Sequence, residues 1–238
     1  MKTLNNVRSS SWLLLGGLCA CFMLAMGLPA SWGWENGPLE NVQALTLLVG
    51  LVVAVIAAVQ QRSMAAGKIW WVAALFWLAM LGRELAWGAV FLPAQGFNPE
   101  TGPRYSSSVL WWKPAVVWVC SAMLAACAYW VLRYRLVPRV LLRWLRERAM
   151  PWGCLGVFVL AMLLSALVEG HGKLPIPHLP ESMLLAMEEM AECWAYLSLW
   201  WAQWVLVHHM QEWRTSSYLQ TLHFSISAVG ESFERRAI

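Results

Sequence analysis

Two short segments carry charged side chains inside stretches that are otherwise apolar. The first is Gly82-Arg83-Glu84-Leu85-Ala86-Trp87-Gly88, and the second is Glu188-Glu189-Met190-Ala191-Glu192. Charged groups within membrane-spanning helices cost free energy, so they are rare there and usually mark a working or pairing site. The candidate catalytic residues are therefore Glu84, Glu188, Glu189 and Glu192.

The spacing of these carboxylates indicates that they share one site. Glu188 and Glu192 are four residues apart and Glu189 and Glu192 are three apart, so all three lie on one patch of a helix. Carboxylates in different environments could supply acid–base catalysis. In a dry site they cannot all stay charged without a proton, a cation or Arg83 to compensate them. Arg83 is the expected fixed partner, because a guanidinium stays charged and pairs bidentately.

Polar and aromatic side chains near the same ends of the predicted spans form a candidate substrate-binding set. The set consists of Arg83, Trp87, Glu40, Lys113, Glu169 and His171. Glu40 belongs to a polar stretch, Glu35 to Gln43, that begins the second span. Two interpretations without catalysis or binding stay open for these residues. Residues at loop ends are often simply solvated, and buried charges often form an ion-pair network that holds helices together without catalysis.

The sequence predicts neither a metal nor a cofactor. It contains no H-E-x-x-H, G-x-S-x-G or P-loop motif. His208 and His209 lie together at the end of one span, so we expect no pair of histidines on facing helices to hold haem. Ser165 and Ser198 are isolated in helices, where a hydroxyl usually bonds to the backbone.

The composition indicates an all-α, polytopic membrane bundle. Hydrophobic residues make up 60% of the 238 residues and charged residues 13%, whereas soluble domains carry roughly 25% charged residues. Several apolar runs exceed the roughly 18–20 residues that cross a bilayer as a helix. We predict a six-helix transmembrane domain at 1–209, with spans at about 11–30, 39–60, 69–92, 109–132, 151–170 and 182–208, and a short amphipathic cytoplasmic tail at 210–238.

Basic residues predict the orientation of the bundle. Thirteen lysines and arginines fall on the side of the two termini and three on the other, which places both termini in the cytoplasm. The expected location is the bacterial inner membrane, as a multi-pass protein. The first apolar run follows Lys2 and Arg8 as a signal peptide would, but it is longer than a usual signal core, so we interpret it as an uncleaved helix.

The spans also predict how deep the carboxylates lie. If the third span ends near Leu92, Glu84 lies about 12 Å below the outer boundary, at about 1.5 Å per residue. If the sixth begins near Ser182, Glu192 lies about 15 Å deep on an antiparallel helix. The two segments should therefore meet near the middle of the membrane, on its outer side.

The chain resembles a family of bacterial inner-membrane proteins in three short motifs. These are an acidic, glycine-containing span start at Glu35-Asn36-Gly37-Pro38-Leu39-Glu40, a G-x-E-x-x-W-G segment at 82–88 and an E-E-x-x-E segment at 188–192. The resemblance implies a polytopic inner-membrane protein and carries no activity with it. Arg83 stands where a second Glu is common in the family, and a cation beside the carboxylates argues against a metal site.

Three classes of function fit these features, and whether the chain is an enzyme stays open. We favour a non-catalytic membrane subunit or an assembly and interaction protein, whose buried charges fix helix pairing. The alternatives are an intramembrane enzyme acting on a lipid or lipid-linked substrate, and a proton- or cation-coupled carrier. The expected partners are membrane lipids and a membrane protein. The net charge of +4 follows from the asymmetry of the loops, so we expect no nucleic-acid partner.

Overall fold

The computed structural model describes the backbone of residues 2–62, 67–169 and 179–234, and the side chains of 12–62, 67–169 and 179–212. These residues are mainly helical, which confirms the all-α prediction at that level. The helices are α1 (Lys2–Ala25), α2 (Pro38–Gln60), α3 (Gly67–Glu84), α4 (Lys113–Arg133), α5 (Leu142–Arg146), α6 (Trp152–Val168) and α7 (Glu181–Glu234). A π-helical turn at Val137–Leu141 leads into α5.

Helix α7 is the centre of the bundle. It packs against α1, α2 and α6, while α3 packs against α2 and α4. Trp77 of α3 contacts Gln203 of α7, and Glu84 contacts Tyr196, so these two helices are antiparallel. Helices α1 and α6 are also antiparallel to α7, whereas α2 runs parallel to it. Since α4 is antiparallel to α3, the long helices alternate in direction along the chain.

Tryptophan rings packed on glycines allow the close approach of these helices. A Cβ atom at Gly50 of α2 would lie 2.6 Å from the Trp77 ring, and one at Gly17 of α1 would lie 2.0 Å from the Trp194 ring of α7. The Trp77 indole N–H donates to Gln203 Oε1, and Gln203 Nε2 donates to the Gly50 carbonyl at 3.0 Å. These contacts lock α2, α3 and α7 together at mid-length.

One end of the bundle is closed by the basic segment around α5. Val140 and Trp144 are buried there against Trp70 of α3 and Met210 of α7. Arg143 Nε donates to Glu147 Oε1 at 2.8 Å, and His209 Nε2 lies 3.2 Å from Glu147 Oε2. These contacts tie the basic segment to α7.

The opposite end differs from the prediction in two places. The helix expected to run to about residue 92 ends at Glu84, and Ala86–Phe91 forms a 3-10 helix in which Trp87 has a φ of 55° and Gly88 a φ of 102°. These left-handed residues break the regular helix. A two-stranded antiparallel sheet then follows, with β1 (Gly96–Asn98) paired to β2 (Gly102–Arg104) and Phe97 opposite Pro103.

Among the described residues, α2 and α4 are long and apolar enough to cross a membrane, with mean hydropathies of 2.6 and 2.0. The apolar stretches Trp12–Ala25 and Trp152–Val168 are shorter. Helix α7 continues without a break from Glu181 to Glu234, through the region predicted as an amphipathic tail. The side chains of that tail lie outside the described ones.

Candidate functional site

Three helices bring five glutamates to the end of the bundle opposite the basic segment. Glu40 lies in the first turn of α2 and Glu84 is the last residue of α3. The other three lie near the start of α7. The electrostatic interactions of Glu189 link it to Glu40, Glu84, Glu188 and Glu192. This carboxylate cluster, Glu40, Glu84, Glu188, Glu189 and Glu192, contains all four candidate catalytic residues.

Glu192 contacts side chains of two other helices. It is 8% exposed. The Ser165 hydroxyl of α6 donates to Glu192 Oε1 at 3.0 Å, and Arg83 Nη2 of α3 lies 3.6 Å from the same oxygen. Ser165 was expected to bond to the backbone, as Ser198 does to the Trp194 carbonyl. Ser165 instead bonds across helices, because α6 turns its hydroxyl toward α7.

Tyr196 joins two carboxylates. Its side chain is buried, and its hydroxyl lies 3.3 Å from Glu84 Oε2 and 3.5 Å from Glu192 Oε2. A phenol has one proton to donate, so it bonds to one carboxylate at a time. The sequence places Tyr196 four residues after Glu192 on the same helix face, and the structure shows this relation.

Gln43 of α2 holds Glu189 of α7. Gln43 Nε2 donates to the Glu189 backbone carbonyl at 2.7 Å and to Glu189 Oε2 at 2.8 Å. Gln43 is fully buried, and its Oε1 atom has no hydrogen-bond partner among the described residues. The sequence analysis included Gln43 only in a polar span start. Its position three residues after Glu40 was the available signal that it shares the face of the cluster.

Arg83 is at the edge of the cluster. Its side chain is 66% exposed, and its ion pair is with Glu192. The neighbouring Glu84 was expected about 12 Å below the end of a span that runs to Leu92. It is instead the last residue of α3. The carboxylates therefore gather within about three turns of the helix ends.

Trp87 has a packing contact in the turn that follows α3. A Cβ atom at Gly82 would lie 2.8 Å from the Trp87 ring, and the Trp87 carbonyl accepts the Trp112 indole N–H at 3.3 Å. The two glycines of the G-x-E-x-x-W-G segment thus have separate roles. Gly82 leaves space for the ring, and Gly88 takes the positive φ.

The other candidate binding residues are less closely tied to the cluster. Glu169 follows the end of α6, is exposed, and interacts electrostatically with Glu188 and Arg83. Lys113 begins α4 and is exposed. Among the described side chains it makes no hydrogen bond or ion pair with the cluster. His171 lies outside the described residues.

A cavity at this end and the arrangement of possible metal ligands also bear on binding chemistry. An open cavity of about 510 Å³ is lined by Glu35, Gln95, Gly96, Arg104, Tyr105 and Ser106. Its one acidic side chain, Glu35, accepts the backbone N–H of Tyr105. Within the described parts of the chain, no group of three histidine, cysteine or acidic residues is arranged to hold a metal ion.

Comparison of the chain with protein-family models, with curated proteins and with solved structures finds no match in any of the three.

Proposed function

We propose that the chain is a multi-pass protein of the bacterial inner membrane, with both termini in the cytoplasm. In this proposal six helices cross the membrane, namely α1, α2, α3, α4, α6 and α7. The alternating direction of these helices supports the arrangement, since each connection then returns the chain to the opposite end. At about 1.5 Å per residue, the 18 residues of α3 extend about 27 Å, close to the roughly 30 Å of hydrocarbon.

The apolar surface of the helices supports a lipid environment. In a soluble protein an apolar helix buries its apolar face. Here the outer face of α2 exposes large apolar side chains along its length: Val42, Leu45, Leu48, Val49, Val52, Ile56 and Val59. None of the 21 residues of α4 is buried. Lipid is the neighbour that makes such surfaces favourable.

The two ends of the bundle differ in charge. Arg62, Lys68, Arg133 and the arginines of the α5 segment lie at one end, and the carboxylate cluster lies at the other. By the positive-inside rule the basic end faces the cytoplasm and the cluster faces the periplasm.

Within the membrane, the proposed role is that of a non-catalytic subunit or an assembly and interaction protein. The observation that carries it is the set of contacts around Glu192, which come from Arg83 of α3 and Ser165 of α6, with Tyr196 linking on to Glu84. Together with the Gln43–Glu189 contact, they join α2, α3, α6 and α7. Buried polar networks of this kind can hold a bundle in one arrangement, and such a bundle offers a partner a fixed surface.

A carrier has less support. Its coupling carboxylates would need a polar path to the cytoplasmic end. Below the cluster, the buried Trp77 and Gln203 bond to each other and pack on Gly50. The core beyond them is mainly apolar, with Ala57, Trp70, Val140, Trp144, Val207 and Met210. Its buried Gln61 accepts the Trp70 indole N–H at 3.1 Å.

The test uses the intact protein in its own membrane and compares two changes. Arg83→Leu combined with Glu192→Leu removes the ion pair and its charge together, and Glu192→Gln removes the charge but keeps hydrogen-bonding capacity. We expect both variants to insert with the same cysteine-accessibility map and to restore the phenotype of a deletion strain, because a packed apolar pair or an uncharged hydrogen-bonding side chain can replace a buried ion pair between helices. They should also retain the same partner after cross-linking. A Glu192→Gln protein that inserts and keeps its partner but restores nothing would contradict the proposal and favour the intramembrane enzyme.

A further inference from the structure

We infer that the carboxylate cluster is a binding site for a primary ammonium group, with the buried Gln43 amide oxygen as one of its acceptors. The inference adds a ligand class to the proposed function and rests on its placement of the cluster at the periplasmic end of a membrane bundle.

The unpaired amide oxygen is the observation that points to a ligand. Gln43 is fully buried and uses Nε2 for two hydrogen bonds to Glu189, and within the described parts of the chain no group donates to its Oε1. The two amide atoms are about 2.3 Å apart by covalent geometry. Since Nε2 lies 2.8 Å from Glu189 Oε2, Gln43 Oε1 lies within about 5 Å of that carboxylate. A buried acceptor of this kind is costly unless something donates to it.

The acidic side chains of the site favour a cationic ligand, because a bound positive charge compensates carboxylates that a dry site cannot otherwise keep charged. Among the described residues, the five glutamates of the cluster face one nearby basic side chain, Arg83, which is 66% exposed and paired with Glu192. Glu40 and Glu189, on the α2 side of the cluster, interact electrostatically with other carboxylates. This side therefore favours a positive group.

The arrangement of acceptors suits an ammonium better than a metal ion. A hard metal ion takes six or more oxygen ligands, and in the described chain no group of three acidic, histidine or cysteine side chains is arranged to hold one. A primary ammonium has three N–H donors that point apart. The Gln43 amide oxygen and the Glu189 carboxylate lie within about 5 Å of each other, so a nitrogen between them can donate to both.

This chemistry has two sources in an inner membrane. One is the head group of an aminophospholipid such as phosphatidylethanolamine, and the other is a soluble amine. Phosphatidylcholine is the matched control lipid, because its quaternary ammonium has the charge but no N–H donor.

The experiment measures retention of lipids by the full chain in detergent, using native mass spectrometry. The protein is delipidated and offered phosphatidylethanolamine, phosphatidylcholine or phosphatidylglycerol of equal chain length, and ethanolamine is added in a parallel series. We expect phosphatidylethanolamine to be retained about tenfold better than phosphatidylcholine, as a lost charge-assisted hydrogen bond predicts. Glu189→Gln should abolish this preference. Glu40→Gln is the second variant if Glu189→Gln does not fold, and Glu147→Gln, at the other end of the bundle, should leave the preference unchanged.

Each outcome of the lipid and ethanolamine series supports or overturns the ammonium site. Binding of ethanolamine without a preference among the lipids would support the ammonium site and assign it to a soluble amine. Equal retention of all three lipids with no binding of ethanolamine would overturn it, as would a preference that survives both Glu189→Gln and Glu40→Gln. The proposed function is tested separately by cysteine accessibility and cross-linking, so an empty site in a correctly inserted protein would remove the inference alone.

Discussion

Ser165 and Glu192 form a hydrogen bond between α6 and α7, with the hydroxyl 3.0 Å from the carboxylate. Ser165 is 1% exposed and Glu192 8% exposed, so water cannot readily replace either partner. The same carboxylate oxygen is the one that Arg83 approaches from α3. The stability of the bundle should therefore respond to changes of this serine more than to changes of other buried serines.

We predict that Ser165→Ala destabilises the protein by about 1–2 kcal/mol, because it leaves a buried carboxylate oxygen with one partner fewer. The matched control is Ser198→Ala on α7. Ser198 is equally buried, but its hydroxyl bonds to the Trp194 carbonyl of its own helix, so its loss should cost less than about 0.5 kcal/mol. Reversible unfolding in detergent measures both. An equal loss in the two variants would show that Ser165 does not act through Glu192.

Adjacent glycines of α1 provide a second test. A Cβ atom at Gly17 would lie 2.0 Å from the Trp194 ring, whereas one at Gly16 would meet nothing within 4 Å. We predict that Gly17→Ala costs about 1–3 kcal/mol through overpacking, while Gly16→Ala is neutral or slightly stabilising because alanine favours the helix. Thermal unfolding followed by tryptophan fluorescence compares them. A Gly17→Ala protein as stable as Gly16→Ala would mean that α1 does not pack on α7 as described.

The sequence was sufficient to predict the helical class and the approach of Glu84 to Glu189 and Glu192. Charged residues on apolar helices usually face the interior of the bundle and pair there. Spacing of three and four residues shows which of them share a face. The contact of Tyr196 with the cluster follows from the same spacing.

Other parts of the site could not be read from the sequence, for identifiable reasons. The end of α3 at Glu84 depends on the positive φ of Ala86 and Trp87, which are residues that rarely adopt it. The contacts of Gln43 and Ser165 depend on how α2 and α6 are rotated about their axes, and low amphipathicity in an apolar helix leaves that rotation undetermined. The β1–β2 hairpin lies in a loop rich in glycine and proline that predicts turns without a register.

The indole of Trp77 is the third test. Trp77→Phe keeps an aromatic ring against Gly50 but removes the N–H that donates to Gln203 Oε1. Because that oxygen is buried, we predict a loss of about 1–3 kcal/mol. Trp118→Phe on α4, where Trp118 is 76% exposed, is the control and should change stability by less than about 0.5 kcal/mol. Denaturant unfolding distinguishes the two, and a similar small effect in both would contradict the Trp77–Gln203 hydrogen bond.

The stability that Glu147 contributes at the basic end should depend on pH. Partial burial raises the pKa of Glu147, but hydrogen bonds and charges from Arg143 and His209 outweigh it and hold the pKa below its usual 4.5. A carboxylate with a lowered folded-state pKa adds stability above its unfolded pKa, and this contribution is lost as pH falls through the folded value. Because the side chain is 34% exposed, we expect Glu147→Gln to cost about 0.5 kcal/mol or less near neutral pH.

The measurement is the difference in unfolding free energy between the unchanged protein and Glu147→Gln, taken from pH 7 down to pH 3. We expect the difference to persist at pH 5 and to shrink below about pH 4, where the unfolded-state carboxylate, with a pKa of about 4.3, and then the folded one become protonated. A difference that grows as the pH falls to 3 would mean that Glu147 is not stabilised by Arg143 and His209 in the folded protein.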